Sequence, residues 1–290
     1  MKIKDLLDKK SVTVSCEIFP PKKLVSYEPV RTTMAAIAAL RPDFMSVTYG
    51  AGGSTEAYTV QIAEELENEL GVTALAHLTC VSSTKSDIEA LLQKLRDKNI
   101  ENVLALRGDV PADGFSPQHY RYAYELVYQI KKQYGDFCIG AACYPEGHVE
   151  AEHKEKDIDY LKLKVDSGVD FLTTQMFFDN NVLYNFLYRI LAKGVKVPVI
   201  AGVMPVTNAK QIRRITELSG TALPPRFKAI IDRFGEHPLA MQQAGIAYAT
   251  EQIIDLIANG VKGIHIYTMN NPGVATSIFN NLSHILRDGV

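Results

Sequence analysis

The sequence predicts an α/β chain folded as a closed (β/α)8 barrel, the TIM barrel architecture, and three observations carry that expectation. Eight short runs rich in β-branched and apolar residues alternate with longer stretches of helical spacing, which is the pattern of a parallel sheet with crossover helices. The alternation continues to the C-terminus without a composition break or a Pro/Ser-rich linker, so residues 1–290 read as one domain. Gly71, Gly135, Gly168, Gly194 and Gly260 fall between helical runs and the next strand, where a left-handed helix end favours glycine. An open, doubly wound sheet is the runner-up.

In chain order, strands are expected at 12–19 (VTVSCEIF), 44–50 (FMSVTYG), 73–80 (TALAHLTC), 102–108 (NVLALRG), 137–144 (FCIGAACY), 170–178 (DFLTTQMFF), 197–204 (VPVIAGVM) and 263–269 (GIHIYTM). Helices are expected at 30–40, 56–70, 86–98, 118–134, 151–167, 181–193, 208–219 and 238–258, with a last one at 273–286. In the third of these, Ile88, Leu91, Leu92 and Leu95 form an apolar stripe suited to packing on a sheet, and Ser86 with Glu89 reads as a capping box. Asn180 and Thr207 offer side-chain oxygens at the starts of the sixth and seventh. The stretch 220–237, with Pro224-Pro225 and a helical run to Phe234, reads as an insertion before the long helix that leads to the last strand.

Composition narrows the function. The chain is 47% hydrophobic and carries a net charge of −2 without a block of like charges, which argues against a nucleic-acid surface and a polybasic membrane patch and points to a small-molecule ligand. The N-terminus lacks a signal-peptide core and no long uncharged span follows, so a cytoplasmic protein is expected. Cys16, Cys80, Cys138 and Cys143 all lie in apolar runs, which fits reduced, buried thiols.

In a barrel, reactive groups gather at the carboxyl ends of the strands, which singles out Glu17, Thr48, His77, Arg107, Asp109, Tyr144, His148, Gln175 and Asn270. Glu17, between Cys16 and Ile18, would be a costly charge in a core strand, and burial should raise its pKa toward the range of a general acid, unless a lysine such as Lys22 pairs with it. Asp109 follows Arg107-Gly108, where glycine lets a flat ligand approach the backbone; a turn salt bridge is the plain alternative. Gly50-Ala51-Gly52-Gly53-Ser54-Thr55 offers backbone N–H groups to an anion, or is simply a loop. Tyr144-Pro145-Glu146-Gly147-His148 brackets a tight turn with a stacking face and a hydrogen-bonding ring. Lys154, Lys156, Lys162 and Lys164 suit a pyrophosphate or a solvated face, and Tyr122 is the tyrosine of the fourth helix best placed to reach a ligand. A zinc site built from His77, Cys80 and His148 is a poor match to zinc spacing, and no metal is expected.

Eight of these runs, in order, resemble the methylenetetrahydrofolate reductase family: Glu17-Ile18-Phe19-Pro20-Pro21-Lys22, Val47-Thr48-Tyr49-Gly50-Ala51, His77-Leu78-Thr79-Cys80, Leu106-Arg107-Gly108-Asp109, Tyr144-Pro145-Glu146-Gly147-His148, Lys164-Val165-Asp166-Ser167-Gly168, Thr174-Gln175-Met176-Phe177-Phe178-Asp179 and Tyr267-Thr268-Met269-Asn270. The resemblance implies a barrel that holds FAD at its C-terminal face, takes hydride from NADH or NADPH, and passes it from flavin N5 to methylenetetrahydrofolate in a ping-pong cycle that feeds methyl groups to methionine synthesis or one-carbon assimilation. By position it implies Glu17 as the general acid to folate N10 and Asp109 as the group that tunes the flavin and meets the pterin. Thr48, Tyr49, Ala51, His77, Arg107, Gly108, Asp109, Tyr122, Ala123, Ala142, Tyr144, His148, Asp157 and Lys164 match FAD-contacting positions, and Gln175 and Gln211 match positions that touch folate or nicotinamide.

Three positions depart from the family pattern. Asn271 stands where an arginine is common, Ile215 where a nicotinamide-stacking phenylalanine occurs, and Leu163 where a basic flavin contact occurs. With 290 residues the chain leaves no room for the regulatory domain that binds S-adenosylmethionine in eukaryotic members, so feedback by that ligand is not expected. A homo-oligomer is expected, and an electron-delivering partner protein remains open. The rival readings are a metal-dependent barrel lyase or hydrolase and a non-catalytic subunit that holds flavin or folate for a partner complex.

Overall fold

The computed structural model describes residues 1–21, 26–49, 56–110 and 119–287. Eight strands, β1 (Thr13–Ile18), β2 (Phe44–Val47), β3 (Thr73–Thr79), β4 (Asn102–Leu106), β5 (Cys138–Cys143), β6 (Phe171–Thr174), β7 (Val199–Val203) and β8 (Gly263–Ile266), pair in sequence order and close into a barrel. Each neighbouring pair is parallel, and closure sets Thr13 opposite Gly263 and Cys16 opposite Ile266.

The two-residue period of a strand divides these residues between two environments. Val14, Cys16, Ile18, Ile264 and Ile266 join the large core between barrel and helices, whereas Ser15, Glu17, His265 and Tyr267 turn inward. Two glycines on inward positions are needed for space rather than for backbone freedom. A Cβ on Gly140 would lie 2.5 Å from the Phe171 ring, and one on Gly202 would lie 2.5 Å from the Thr174 carbonyl oxygen and 2.6 Å from the Tyr267 ring.

The helices are α1 (Ile3–Lys9), α2 (Glu28–Ala38), α3 (Glu56–Glu64, continued as a π turn over Glu65–Glu69), α4 (Lys85–Asp97), α5 (Ala123–Gln133), α6 (Lys154–Asp166), α7 (Asn180–Ala192), α8 (Ala209–Ser219), α9 (Pro225–Phe234), α10 (Pro238–Ala258), α11 (Pro272–Asn281) and α12 (Ser283–Arg287). Helix α1 was not anticipated, because its seven residues are too few to display a helical period. Ile3 and Leu7 pack with Phe44, Leu75, Leu104, Cys138, Phe171 and Ile200, so α1 plugs the amino-terminal end of the barrel. Asn102 fastens the plug: its Oδ1 accepts from the Ile3 N–H at 2.8 Å, and its Nδ2 donates to the Met1 carbonyl at 2.9 Å and the Ala74 carbonyl at 3.2 Å.

Several local expectations are corrected. The capping box of α4 is Thr84 with Asp87 rather than Ser86 with Glu89; the Thr84 hydroxyl accepts from the Asp87 N–H, and the Asp87 carboxylate accepts from the Thr84 N–H. The caps of α7 and α8 are Asp179 and Asn208, each one residue from the expected Asn180 and Thr207. Among the five helix-stop glycines, Gly71, Gly168, Gly194 and Gly260 have positive φ but Gly135 does not. The expected 273–286 helix breaks into α11 and α12. The insertion holds α9, as expected, and packs through Phe227 and Ile231 on Met176, Phe178, Met204 and Met241. This second small core seats α8 and α9 over the carboxyl ends of β6 and β7.

Asn102→Ala strands the Ile3 N–H and two carbonyls at the barrel floor. Unpaired buried groups of this kind cost about 1–3 kcal/mol each, so the urea midpoint should fall by the equivalent of about 2 kcal/mol or more, with an unchanged slope.

Candidate active site

A cavity of about 540 Å³ opens at the carboxyl ends of the strands and runs down into the barrel as far as Ser46, Leu75, Leu104 and His265. Glu17 and Asp109 both line it, together with Thr48, His77, Ala142, Tyr144 and Gln175. Residues from β1, β2, β3, β5 and the turns after β4 and β6 therefore meet in one space because parallel strands point all their carboxyl ends the same way.

Glu17 is held by the closure of the barrel. The Thr268 hydroxyl donates to the Glu17 carbonyl at 2.7 Å, and Asn270 makes a two-bond clamp with the next turn of chain: Phe19 N–H to Oδ1 at 2.8 Å and Nδ2 to the Phe19 carbonyl at 2.9 Å. Met269 and Asn270 adopt positive φ to make this turn, a conformation uncommon outside glycine. The Glu17 side chain is only 6% exposed, and burial pushes its pKa up to about 8. His77 lies beside it, with Nε2 at 3.8 Å from Oε2; burial lowers the His77 pKa to about 4. Near neutral pH both groups are therefore largely uncharged, and Glu17 is a carboxylic acid with a proton to give.

Beneath them, His265 is wedged between two hydroxyls, Ser15 Oγ at 2.7 Å from Nδ1 and Ser46 Oγ at 3.2 Å from Nε2. Burial, then the neighbouring His77, drives its pKa down to about 3. Tyr267 meets the His265 ring edge-on at 5.2 Å and donates its hydroxyl to the Thr174 carbonyl at 2.6 Å.

The other predicted positions form a charged rim around the ends of β4 and β5. Arg107 makes a bidentate pair with Glu150 (2.5 and 2.7 Å), a partner not anticipated from sequence, and Asp109 keeps its place on the cavity wall. Gly108 has φ +85, and a Cβ there would crowd Thr79 at 3.0 Å. Tyr144 and His148 meet edge to face at 4.6 Å, the His148 N–H donates to Asp157 at 3.2 Å, and Lys164 donates to the Ala142 carbonyl at 2.6 Å. Burial lowers the Lys164 pKa and raises that of Asp157. Of the four helix lysines only Lys164 turns inward; Lys162 pairs with Asp166. Glu146 accepts from the Ala222 N–H at 3.0 Å and so ties this turn to the insertion.

Some predicted residues stand apart. Tyr49 donates to Glu56 at 3.1 Å beside the rim, Tyr122 and Ala123 begin α5 and do not line the cavity, and Gln211 is exposed on α8. Tyr120 and Tyr122 precede the helix on which they were expected. Ala51, its glycine-rich loop and Lys22 lie outside the described residues. The zinc alternative fails on geometry: His77 faces the cavity while Cys80 is packed in the outer core, and among the described residues no three His, Cys, Asp or Glu side chains are gathered to hold a metal. The sequence reading passed over Ser46, Thr173, His265 and Tyr267, although each shares strand parity with a residue it selected or with the barrel interior.

The residues present fit FAD. The cavity is lined by Ala142 and the Tyr144 ring, the buried Nε2 of His77 has no hydrogen-bond partner among the described residues, and beside the cavity stand Arg107, paired with Glu150, and Lys164, whose amine reaches the Ala142 carbonyl, two cations that suit a pyrophosphate.

Fold and site together define a (β/α)8 barrel with a small-molecule cleft at the carboxyl ends of its strands. The chain belongs to the methylenetetrahydrofolate reductase family, whose model matches residues 2–283. It is 35% identical over 298 residues to methylenetetrahydrofolate reductase (NADH) 1 of Arabidopsis thaliana, with 98% of this chain and 50% of that protein covered. It is 31% identical over 271 residues to 5,10-methylenetetrahydrofolate reductase of Escherichia coli K12, with 93% of this chain and 90% of that protein covered. The chain thus spans about half the length of its plant relatives and nine-tenths of the bacterial one. Among solved structures, a Clostridium thermocellum protein that binds two copies of 5-methyl-5,6,7,8-tetrahydrofolic acid superposes with a TM-score of 0.64 at 14% identity, covering 97% of this chain and 98% of that one, a likeness of fold. No described helix is long and apolar enough to cross a membrane.

A carboxyl whose folded pKa is raised gives stability that is present below its ordinary value of 4.5 and lost as pH rises through about 8. Between about pH 5.5 and 7 the wild type should lose stability with a slope approaching ~1.4 kcal/mol per pH unit from this group, falling to about half that at pH 8. Glu17→Gln should flatten that slope in denaturant titrations at several pH values.

Proposed function

We propose that this chain is an FAD-dependent methylenetetrahydrofolate reductase that makes methyltetrahydrofolate with NADH or NADPH as reductant. The observation that carries the reading is that a buried, protonated Glu17 and an Asp109 from a distant segment open onto one cavity. Family membership supports the substrate, and the fit of the rim supports the cofactor.

His77, Ala142, Tyr144 and Gly108 would hold the flat ring of FAD, and Arg107 and Lys164 its phosphates, with Arg107 exchanging Glu150 for the ligand. FAD supplies the capacity to accept hydride from a nicotinamide and to return it to a one-carbon unit. Glu17 holds its proton at the carboxyl until a folate N10 is within reach, then gives it up, which opens the five-membered ring and leaves an electrophilic carbon. The low-dielectric setting keeps the acid protonated near neutral pH, where an exposed glutamate would be ionised. Asp109 presents a carboxylate to the polar edge of the ring and to the pterin. Gln175, turned toward the same space, orients the second reactant.

Purified protein reconstituted with FAD should be yellow, bleach with NADH or NADPH under anaerobic conditions, and regain colour with methylenetetrahydrofolate. A chain that cannot be reconstituted refutes the reading. Glu17→Gln should leave flavin reduction within about threefold of wild type and slow the folate half-reaction by about 10²–10⁴-fold in stopped flow. Equal loss of both half-reactions would contradict the acid assignment.

A further inference from the structure

The cavity wall carries two carboxyl groups, Glu17 and Asp109, and no lysine or arginine among the described residues. The turn after β8, residues 267–271, has none either, and Asn271 within it caps α11, its Oδ1 accepting from the Val274 N–H at 3.3 Å. Arg107 and Lys164, on the side of β4 to β6, would take the phosphates of FAD. A folate ends, beyond its reacting ring and benzoyl group, in a glutamate whose carboxylates are ionised near neutral pH, and none of these cations is free to receive them.

The unused cations lie on α8. Ile215, Leu218 and Ser219 turn this helix toward the cavity. Residues four apart on a helix are neighbours, so Lys210, Arg214 and Leu218 form one row that runs beside the wall and reaches the mouth at Leu218. Leu218 is 72% exposed, and Lys210 and Arg214 are exposed and make no ion pair among the described residues. Arg213 and Glu217, also four apart, fall about 160° round the helix from Ile215 and offset each other's charge toward solvent. The row is unfavourable for the helix itself: its two like charges are adjacent, and Lys210 stands in the first turn, where the helix dipole is positive. An anion from outside the chain relieves both.

We propose that Arg214, with Lys210 behind it, receives the glutamate carboxylates of the folate and is thereby a specificity residue for the acceptor. The inference rests on the reductase reading above for the identity of that acceptor. With the reacting end of the folate beside Glu17, the apolar wall of Ile215 and Leu218 covers the middle of the molecule, and the tail leaves the cavity over Leu218 onto the charged row, where it keeps much of its water. Such an exposed contact acts on affinity rather than on the chemical step, and salt weakens it.

The test uses the FAD-reconstituted protein. Arg214→Gln should raise the KM for methylenetetrahydrofolate about three- to tenfold with kcat within about twofold, and Arg214→Lys should restore KM to within about twofold of wild type. Arg213→Gln, on the opposite side of the helix, should change neither. The decisive comparison removes the tail: methylenetetrahydropteroate, which lacks the glutamate, should show no further loss on Arg214→Gln. Calorimetric binding of methyltetrahydrofolate and methyltetrahydropteroate to the same proteins, at low and moderate salt, makes this comparison without turnover. An Arg214→Gln protein with wild-type KM and affinity for the folate overturns the proposal, as does one that loses as much with the pteroate. So does an effect confined to the nicotinamide half-reaction, which would give the row to the phosphates of the reductant. A wild type that binds methyltetrahydrofolate but cannot reduce methylenetetrahydrofolate overturns the proposed function alone, since the affinities still decide the contact.

Discussion

Everything at this site depends on the closure of β1 onto β8. Parallel pairing of these strands brings the first and last quarters of the chain together, and the Thr268 and Asn270 side chains then bind the backbone of Glu17 and Phe19 directly. Without closure, Glu17 would sit at an open sheet edge in water with an ordinary carboxylate pKa. With it, the carboxyl faces a cavity walled by Leu75, Leu104 and the His265–Tyr267 pair, and the same covalent group becomes a neutral acid at physiological pH. The chemistry is thus a consequence of topology acting through dielectric.

The barrel interior is graded along its axis. The floor is apolar, made by Phe44, Phe171, Ile200 and the α1 plug; the middle is neutral and polar, with Ser15, Ser46, His77, Thr173 and His265; the mouth carries Asp109 and the Arg107–Glu150 pair. Burial drives the histidines toward their neutral forms, so the middle layer donates and accepts hydrogen bonds without imposing a cation on Glu17. A lysine or arginine in that layer would stabilise the carboxylate and lower the pKa that burial raises. The absence of a cation facing Glu17 among the described residues is therefore as much a cause of its raised pKa as burial itself.

The barrel was legible because its evidence is repeated: eight β-rich runs, helical spacing between them, and glycines at the joints. Glu17 and Asp109 were legible for a different reason, since a charge at the end of an apolar strand is anomalous in one dimension. What escaped was what has no local signature. The seven residues of α1 are too short for a period, and the Arg107–Glu150 pair links positions 43 apart through a turn. Ser46, Thr173 and His265 are ordinary residues in β-rich runs, and only closure reveals that they share a space with Glu17. The capping errors at Ser86, Asn180 and Thr207 have a common cause: Ser, Thr, Asn and Asp cluster at helix starts, and any of them can cap, so sequence fixes the turn but not the residue.

The mouth itself has two unlike sides, and this asymmetry dictates how a ligand can lie. On the side of β4 to β6 the rim carries Arg107, His148, Asp157 and Lys164, much of it buried or paired, and so costly to expose without a charged partner. Opposite, Met176, Met204, Ile215, Leu218 and Met269 present an apolar surface, with Leu218 72% exposed on α8. A molecule with an anionic tail and a planar ring loses little by placing its charge among the first group and its ring between the strand ends and the second. The reverse placement would desolvate the tail without compensation and leave the Leu218 side chain in water. The space bounded by Glu17 on one side and α8 on the other would then be left for a reductant and an acceptor of similar flatness in turn, with the acceptor within reach of the acid. Helix α8, whose Ile215 and Leu218 line the cavity, is thus the part of the chain that makes sequential use of a single cavity physically reasonable, because it adds an apolar wall that discriminates by shape and leaves the chemistry to the barrel.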